Sequence, residues 1–416
     1  MWFHRCTSLL GPVPLCANAN ARRANSLCLR LPSSVATWNA NLLVSHQEYL
    51  AKLELIGKRL QTHLRTLKWP PTTHFEAEGV RYALPLRCQE QLLPMLLEEK
   101  QEYLAGFFDG DGCVSTLSDL SGCCLMVSQR ASASAVLLLF VRCFGGAIYV
   151  QRHGSGMIQP GLCWYVSGTK DRFAADRLKA FSQAKHSQLA IAAATWPRCS
   201  LLRQEISASL KLLKRVKPTP SHCSSVSWSY VAGFFDAEGC IKVPADYKGV
   251  VLEMAQRDSP VLDAICSFLR KEVPQCSSIR VLCIPESHYL LAVCTFDASR
   301  VVLTRLLCAG LLVKREAAAQ VLTSSSHALL RSNSEIKKGN QSRYRKLDIN
   351  GCQRAVEIKR LRSRLLYARR SKQESRAYSL QAQVAALKME HAILSTQCRI
   401  EKLRSDVVLV GRLQTN

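Results

Sequence analysis

The sequence predicts a mixed α+β protein made of two similar units, followed by a basic helical C-terminal extension. The first observation is an internal repeat: YLAGFFDGDGCVS at residues 103–115 recurs as YVAGFFDAEGCIK at residues 230–242. The second is that the polar and apolar residues downstream of both copies stay in register. The third is a change of charge and composition at each end of the chain. Self-similarity of this kind indicates a duplicated structural unit.

Length and composition agree with a globular protein of more than one domain that binds a polyanion. The chain has 416 residues, of which 48% are hydrophobic and 21% charged, and this composition is typical of globular proteins. Its net charge of +25 favours nucleic acid over a membrane surface as the partner. No apolar run approaches the roughly 18 residues of a membrane span. The 19 cysteines include no Cys-x-x-Cys pair, which argues against a disulfide framework and a thiolate zinc site.

The N-terminal region differs from the rest of the chain. Residues 1–47 contain no Asp or Glu and carry four arginines among many Ser, Ala, Asn and Leu, a composition typical of an organelle transit peptide. This predicts a mitochondrial or chloroplast location, and a disordered terminus in an intracellular protein is the alternative. Residues 48–97 are predicted to be a helical extension, because leucines keep helical spacing up to Trp69-Pro70-Pro71.

The first repeat, residues 98–200, is predicted to run helix, two strands, helix, two strands and two closing helices. Short runs rich in Val, Ile, Leu and Tyr, bounded by Gly, Pro, Asp or Ser, indicate the strands. The predicted strands are 113–117, 123–129, 147–151 and 162–167. The predicted helices run from Glu98 to Gly112 and over 132–143, 171–182 and 185–196.

The second repeat, residues 227–330, follows a predicted linker at 201–226 that contains Pro218 and Pro220. It offers the same order of elements after its motif helix. Strands are predicted at 240–243, 250–256, 279–284 and 289–295, and helices at 260–271 and 297–307.

Small residues in the motif helices predict that the two helices pack against each other. Such residues allow two helix backbones to approach closely, and they are Ala105, Gly106, Ala232 and Gly233. Gly112 and Gly239 are predicted to end the helices in a left-handed conformation. If the helices lie side by side, the carboxyl groups of Asp111 and Glu238 emerge together at one end.

This pair of acids predicts a site for a hard divalent cation. Two oxygen ligands without a His or Cys cluster suit Mg²⁺ (or Mn²⁺) rather than zinc. A basic protein that holds such a cation is equipped to cut phosphodiester bonds. Each acid is followed 18 residues later by a glutamine, Gln129 or Gln256. Further along lie the lysines Lys185 and Lys314.

The segments LAGFFDGDG and VAGFFDAEG resemble the LAGLIDADG motif, and residues 98–330 resemble a single-chain, two-motif LAGLIDADG homing endonuclease. The resemblance implies two αββαββα repeats in a pseudo-twofold monomer, with two four-stranded sheets forming a saddle over double-stranded DNA. It implies intron homing by site-specific double-strand cleavage with a divalent metal. Two departures from the motif are Val231 in place of Leu and Glu238 in place of Asp.

The same resemblance implies roles for the matched residues. Asp111 and Glu238 would be the catalytic, metal-binding acids. Gln129 and Gln256 would order the attacking water, and Lys185 and Lys314 would stabilise charge on the phosphate oxygens. The first acids of the motifs, Asp109 and Asp236, are expected to support the helix ends and the interface rather than bind metal.

The C-terminal region is strongly basic, and it bears on two alternative functions. Residues 331–416 hold 20 Lys or Arg against 7 acids, which predicts a basic helical tail that contacts phosphates and contains a short coiled coil. One alternative function is an RNA-binding intron maturase, or splicing cofactor, on the same scaffold. The other is a non-cleaving DNA-binding regulator in which this tail dominates.

Overall fold

A computed structural model describes residues 33–87, 98–216, 225–242, 250–273, 279–284, 288–324 and 347–415. The chain divides into two compact units, Met1–Glu48 and Tyr49–Asn416. Of the first unit, only the beginning of helix α1 (Ser33–Thr66) is described, so most of the predicted transit peptide lies outside the described residues. None of the described helices is long and apolar enough to cross a membrane.

The N-terminal extension is a long helix followed by short strands. Of the predicted helical extension at 48–97, the part up to Thr66 is helical, and α1 begins earlier, at Ser33. It is followed by a hairpin, which the sequence did not predict, and by a short third strand. These strands are β1 (His74–Ala77), β2 (Val80–Ala83) and β3 (Leu86–Arg87).

The first repeat has the predicted order of elements. It consists of α2 (Glu98–Asp111), β4 (Gly112–Thr116), β5 (Cys123–Arg130), α3 (Ala135–Phe144), β6 (Ala147–Arg152), β7 (Gly161–Ser167), α4 (Thr169–Lys179) and α5 (His186–Ala193). The segment predicted as a linker begins with a helix, α6 (Ser200–Leu213). Its buried Leu210 belongs to the protein core.

The second repeat follows the same order. It consists of α7 (Trp228–Glu238), β8 (Gly239–Lys242), β9 (Val251–Gln256), α8 (Pro260–Glu272), β10 (Arg280–Ile284), β11 (His288–Val293), α9 (Phe296–Cys308) and α10 (Arg315–Thr323). The predicted α+β class and the duplicated αββαββα architecture are therefore confirmed.

Each repeat has its own antiparallel sheet. The second sheet has four strands in the order β10-β11-β9-β8. The first has five in the order β3-β6-β7-β5-β4, because β3 pairs with the outer strand β6 through Leu86 and Ile148. The expectation of two four-stranded sheets is thus wrong for the first repeat. The apolar side chains of both repeats and of the two motif helices form one continuous core.

The C-terminal extension is helical. Helix α11 (Ile349–Arg370) turns back into the long helix α12 (Glu374–Thr415). Within the tail predicted to contain a short coiled coil, Leu380 and Val384 of α12 pack on Leu361 and Leu365 of α11. The coiled coil is therefore an antiparallel hairpin within one chain.

The far end of α12 is packed on the N-terminal extension. Its Leu403 and Val410 bury Leu64 of α1. Close by, the indole Nε1 of Trp69 donates to the backbone oxygen of Gly156 at 2.7 Å. The base of the extension is thereby fixed to α1 and to the β6–β7 connection of the first repeat.

One buried carboxyl group in the first repeat has an oxygen without a hydrogen-bond partner in the described ranges, whereas the side chain at the corresponding position of the second repeat is hydrogen-bonded. Asp171, in the first turn of α4, is only 2% exposed, and its Oδ1 has no hydrogen-bond partner among the described residues. Burial raises the pKa of this carboxyl to about 7. The counterpart on α9 is Ser299, whose Oγ donates to the backbone oxygen of Val250 at 2.7 Å.

Replacement of Asp171 by serine is expected to raise the free energy of unfolding by about 1–2 kcal/mol at pH 8, because it removes a buried carboxyl oxygen that has no hydrogen-bond partner in the described part of the chain. A folded-state pKa above the ordinary value means that ionisation costs stability, so the gain should shrink as the pH falls through 7 towards 5. Urea unfolding at both pH values checks this. The control is Asp297→Ser, which alters an exposed carboxyl in the first turn of α9; equal gains in both variants would contradict the prediction.

A paired carboxyl site at the ends of the repeated helices

The two motif helices, α2 and α7, pack backbone to backbone. A Cβ atom added to Gly106 would lie less than 3 Å from the backbone oxygen of Tyr230, and one added to Gly233 would lie as close to that of Tyr103. No side chain fits at either position. Ala105 and Ala232 are completely buried in the same helices. The small residues of the motif thus lie where the two repeats meet.

Two tyrosines cross-link the helices. The hydroxyl of Tyr103 on α2 donates to Oδ2 of Asp236 on α7 at 2.7 Å, and that of Tyr230 on α7 donates to Oδ2 of Asp109 on α2 at 2.6 Å. Burial, followed by the adjacent carboxylate, raises the pKa of both hydroxyls well above the ordinary value. They therefore remain neutral donors. The two tyrosines occupy the same position in both motif copies, a signal that the sequence analysis did not use.

The first acids of the motifs hold the chain that returns after α4 and α9. Besides its tyrosine partner, Asp109 accepts hydrogen bonds from Ser182 Oγ and from the backbone N–H groups of residues 183–185. Asp236 accepts from the backbone N–H groups of residues 312–314. Both side chains are buried. Their oxygens are occupied by protein donors, which leaves them without a free face for a metal.

These turns carry the two predicted lysines to the ends of the motif helices. Lys185 Nζ donates to the backbone oxygens of Phe108, Asp109 and Gly110 at 2.7, 2.8 and 3.1 Å. Lys314 Nζ donates to that of Phe235 at 2.8 Å and also to that of Asp236. A cation at a helix C-terminus satisfies carbonyl groups that have no partner within the helix.

Both lysine side chains are partly buried. Burial lowers the pKa of Lys185 and of Lys314, while nearby carboxylates, including Asp111 and Glu238, oppose this shift. The lysines thus place positive charge next to the last acids of the motifs, but their donor atoms point at helix carbonyls. A direct contact with phosphate oxygens remains a prediction.

The last acids, Asp111 and Glu238, end the two helices and are each held by a glutamine. Gln129 Nε2, near the end of β5, donates to Asp111 Oδ2 at 2.5 Å. Gln256 Nε2, at the end of β9, donates to Glu238 Oε1 at 3.1 Å. The spacing of 18 residues in the sequence thus corresponds to one direct contact in each repeat.

The two acids lie near each other at the helix interface. A Cβ atom added to Gly110, next to Asp111, would lie 3.0 Å from Glu238 Cγ. Burial, followed by the neighbouring Asp111, raises the pKa of Glu238 to about 7. Burial raises the pKa of Asp111 to about 6, against the opposing influence of Lys314 and Lys185. The two carboxyl groups therefore lie together in a partly buried site, where ionisation of both groups costs free energy.

The glycines that follow the acids have a different role from the predicted one. Gly239 is extended, with φ −72° and ψ 153°, and Gly112 is not among the glycines with positive φ. The left-handed prediction is therefore wrong. At each position a Cβ would collide with a phenylalanine ring of the preceding turn, Phe108 or Phe235. Glycine is required here because the strand leaves the helix directly beside that ring.

The donor set fits a hard divalent cation. The glutamines use one oxygen of each carboxyl group, and within the described ranges no hydrogen bond reaches Asp111 Oδ1 or Glu238 Oε2. No third His, Cys, Asp or Glu joins the pair among the described residues. One or two carboxylates completed by water and phosphate oxygens are typical of Mg²⁺ sites in proteins that act on nucleic acids. A cation between the acids would also offset the repulsion that raises the pKa of Glu238.

The fold is the one that the resemblance implies: two αββαββα repeats with the motif helices packed at their interface, as in the LAGLIDADG homing endonucleases. No protein-family profile and no curated protein matches the sequence.

Solved structures similar to this chain include three proteins bound to DNA. The LAGLIDADG homing endonuclease I-GzeII in complex with its DNA target is 13% identical, with 58% of this chain and 98% of that chain covered and a TM-score of 0.39. I-SmaMI bound to an uncleaved DNA target in the presence of calcium ions is 12% identical, with coverages of 58% and 98% and a TM-score of 0.39. The LAGLIDADG meganuclease I-AabMI bound to uncleaved DNA is 15% identical, with coverages of 57% and 93% and a TM-score of 0.39.

Proposed function

We propose that this protein is a site-specific endonuclease of the LAGLIDADG type that hydrolyses phosphodiester bonds in both strands of duplex DNA. The observation that carries the proposal is the pair of carboxyl groups, Asp111 and Glu238, held side by side at the ends of α2 and α7. Each repeat supplies one acid and one glutamine, so the site has two similar halves. A duplex also presents two similar scissile strands.

Asp111 and Glu238 would hold Mg²⁺ (or Mn²⁺), which when bound supplies positive charge that stabilises the phosphate during hydrolysis. Gln129 and Gln256 fix the orientation of the two carboxyl groups, and each amide keeps a second N–H and a carbonyl oxygen that can hold a water molecule. Lys185 and Lys314 add positive charge beside the acids. Because both lysines are partly buried, water screens this charge less than it would at an exposed site.

The charge of the whole chain supports duplex DNA as the partner. A net charge of +25 favours association with phosphates, which position a protein on DNA while side chains at the base edges select the sequence. A single chain contains both halves of the site, so a monomer is sufficient. Intron homing and an organellar location remain predictions from the sequence.

Selection from a randomised duplex DNA library tests the proposal. With Mg²⁺ present, the protein is expected to enrich one family of related sequences cut in both strands, and EDTA should abolish cutting. The same selection with the Asp111→Asn, Glu238→Gln protein is the control and should yield no cleaved products. Cutting without sequence preference, or equal cutting by the control protein, would reject a site-specific nuclease centred on these acids.

A further inference from the structure

The C-terminal hairpin contains a segment that the paired carboxyl site does not use. We call residues 359–378, which comprise the second half of α11, the turn and the start of α12, the hairpin tip. It is held by a small apolar cluster of its own, which includes Leu365, Ala368 and Leu380. This cluster is separate from the main core that contains the motif helices.

The hairpin tip is strongly cationic. In α11 the only acid is Glu357, while six exposed basic residues follow it. They are Lys359, Arg360, Arg362, Arg364, Arg369 and Arg370. A charged surface helix normally mixes both signs, which allows intrahelical ion pairs. Here Glu357 makes a loose contact of 3.9 Å with Arg360.

The cations lie on every side of α11 that does not pack on α12. With 3.6 residues per turn, Arg362 and Arg369 fall on one flank of the buried stripe and Arg360 and Arg364 on the other. Arg370 lies opposite the stripe. A helix that meets a single flat anionic surface needs cations on one face only. Cations on both flanks match a groove with phosphates along both walls.

Exposed aromatic side chains accompany the charge. Tyr367 is 66% exposed and Tyr378 is 71% exposed, and Leu366 beside them is 56% exposed. In the major groove of a duplex, apolar side chains can contact the methyl groups of thymines. Self-association through these residues would bring two clusters of arginines together, and their mutual repulsion opposes it.

We propose that the hairpin tip is a second DNA-binding surface, which places α11 in the major groove of duplex DNA outside the segment at the paired carboxyl site. The major groove, about 12 Å wide, admits an α-helix with its side chains, and the flanking arginines would face the phosphates of both strands. The deep, narrow major groove of A-form RNA excludes a helix, so duplex DNA is the partner that fits. The inference assumes that the protein binds duplex DNA but not that Asp111 and Glu238 cut it.

The opposite end of α12 is an anchor with a different role. Gln414 Nε2 donates to the backbone oxygen of Lys68 at 2.7 Å, and Gln397 Nε2 donates to the hydroxyl of Tyr49 at 3.0 Å. Together with the Leu403 and Val410 contacts, these bonds attach the hairpin to α1. Deleting the whole extension would remove anchor and tip together, so point substitutions in the tip are the informative change.

The test measures how DNA affinity depends on salt in the full-length protein. The tip variant carries the exposed substitutions Arg360→Gln, Arg362→Gln, Arg364→Gln and Arg370→Gln. The control variant removes the same number of exposed cations from the anchored region: Lys52→Gln, Lys58→Gln, Arg59→Gln and Arg404→Gln. Both are titrated with a duplex several helical turns longer than the selected site, and with double-stranded RNA of the same sequence.

The tip variant is expected to lower the slope of log affinity against log salt by roughly 3 to 4, because each lost phosphate contact removes about 0.9. The control should lose less than a third of that. Equal changes in both variants, an unchanged slope in the tip variant, or a larger loss on RNA than on DNA would overturn the proposal. The tip variant should still cut at low salt, whereas the Asp111→Asn, Glu238→Gln protein should keep the full salt slope. Failure of the second surface and failure of the nuclease are therefore distinguishable.

Discussion

Alanine at position 233 is expected to lower the free energy of unfolding by about 3 kcal/mol or more, at the upper end of what overpacking of a core costs. The added methyl group would overlap the backbone oxygen of Tyr103, and backbone cannot rotate away as a side chain can. The helices α2 and α7 must separate, which strains the hydrogen bond from Tyr103 to Asp236. Urea unfolding of the purified variant measures the loss.

A glycine in open surroundings provides the control. Gly411 lies within helix α12, and a Cβ added there meets nothing within 4 Å. Gly411→Ala should therefore stabilise the protein by up to about 1 kcal/mol through helix propensity. If the two substitutions change the free energy of unfolding in opposite directions, the loss in Gly233→Ala comes from the helix interface. A neutral Gly233→Ala would contradict the close approach of the two motif helices.

Neutral amides in place of the paired acids are expected to stabilise the protein in EDTA at pH 8. The pKa values of Asp111 and Glu238 are raised to about 6 and about 7, so their ionisation costs folded-state stability. One pKa unit corresponds to about 1.4 kcal/mol, and the gain from Asp111→Asn with Glu238→Gln is at most about 3 kcal/mol per site. A raised pKa means that the wild-type protein loses this stability as the pH rises through 6 and 7.

Unfolding of both proteins over pH 4 to 8.5 measures this difference. The two stability curves should meet near pH 4 and separate as the pH rises. Asp119→Asn is the control, since hydrogen bonds from Ser121 lower the pKa of that exposed carboxyl and its removal should act in the opposite direction. Parallel curves for the wild-type and doubly substituted proteins would show that the two acids are not held in this partly buried site.

Much of the fold and the pairing of the site residues could be predicted, because corresponding residues of the two repeats occupy equivalent positions in the fold. The spacing between Asp111 and Gln129 is the same as that between Glu238 and Gln256, and equal spacing in two copies of one unit implies equal contacts. Gly106 and Gly233 likewise indicate a close contact between the two helices, because glycine has no side chain to keep the backbones apart. These features depend on local pattern and on the similarity of the two repeats.

Other features depend on contacts between segments that no local pattern connects. The bond from Tyr103 to Asp236 spans 133 residues, and a tyrosine at the start of a helix is by itself ordinary. The lysines Lys185 and Lys314 were expected to face phosphate, yet their ammonium groups cap helix carbonyls because the returning chain buries them. The β1–β2 hairpin and β3 are short, and their pairing depends on partners that only the folded chain provides.

The rates of DNA cleavage by the wild-type protein, by Asp111→Asn, by Glu238→Gln and by the double variant test the central claim most directly. If the two carboxyl groups act as one unit, each single change should slow cutting of the selected duplex by about a hundredfold to a thousandfold. The double variant should be little slower than the single ones, since losses within one catalytic unit are not additive. DNA binding should persist in all four proteins. Losses that multiply, or a double variant that still cuts, would contradict a site shared by the two repeats.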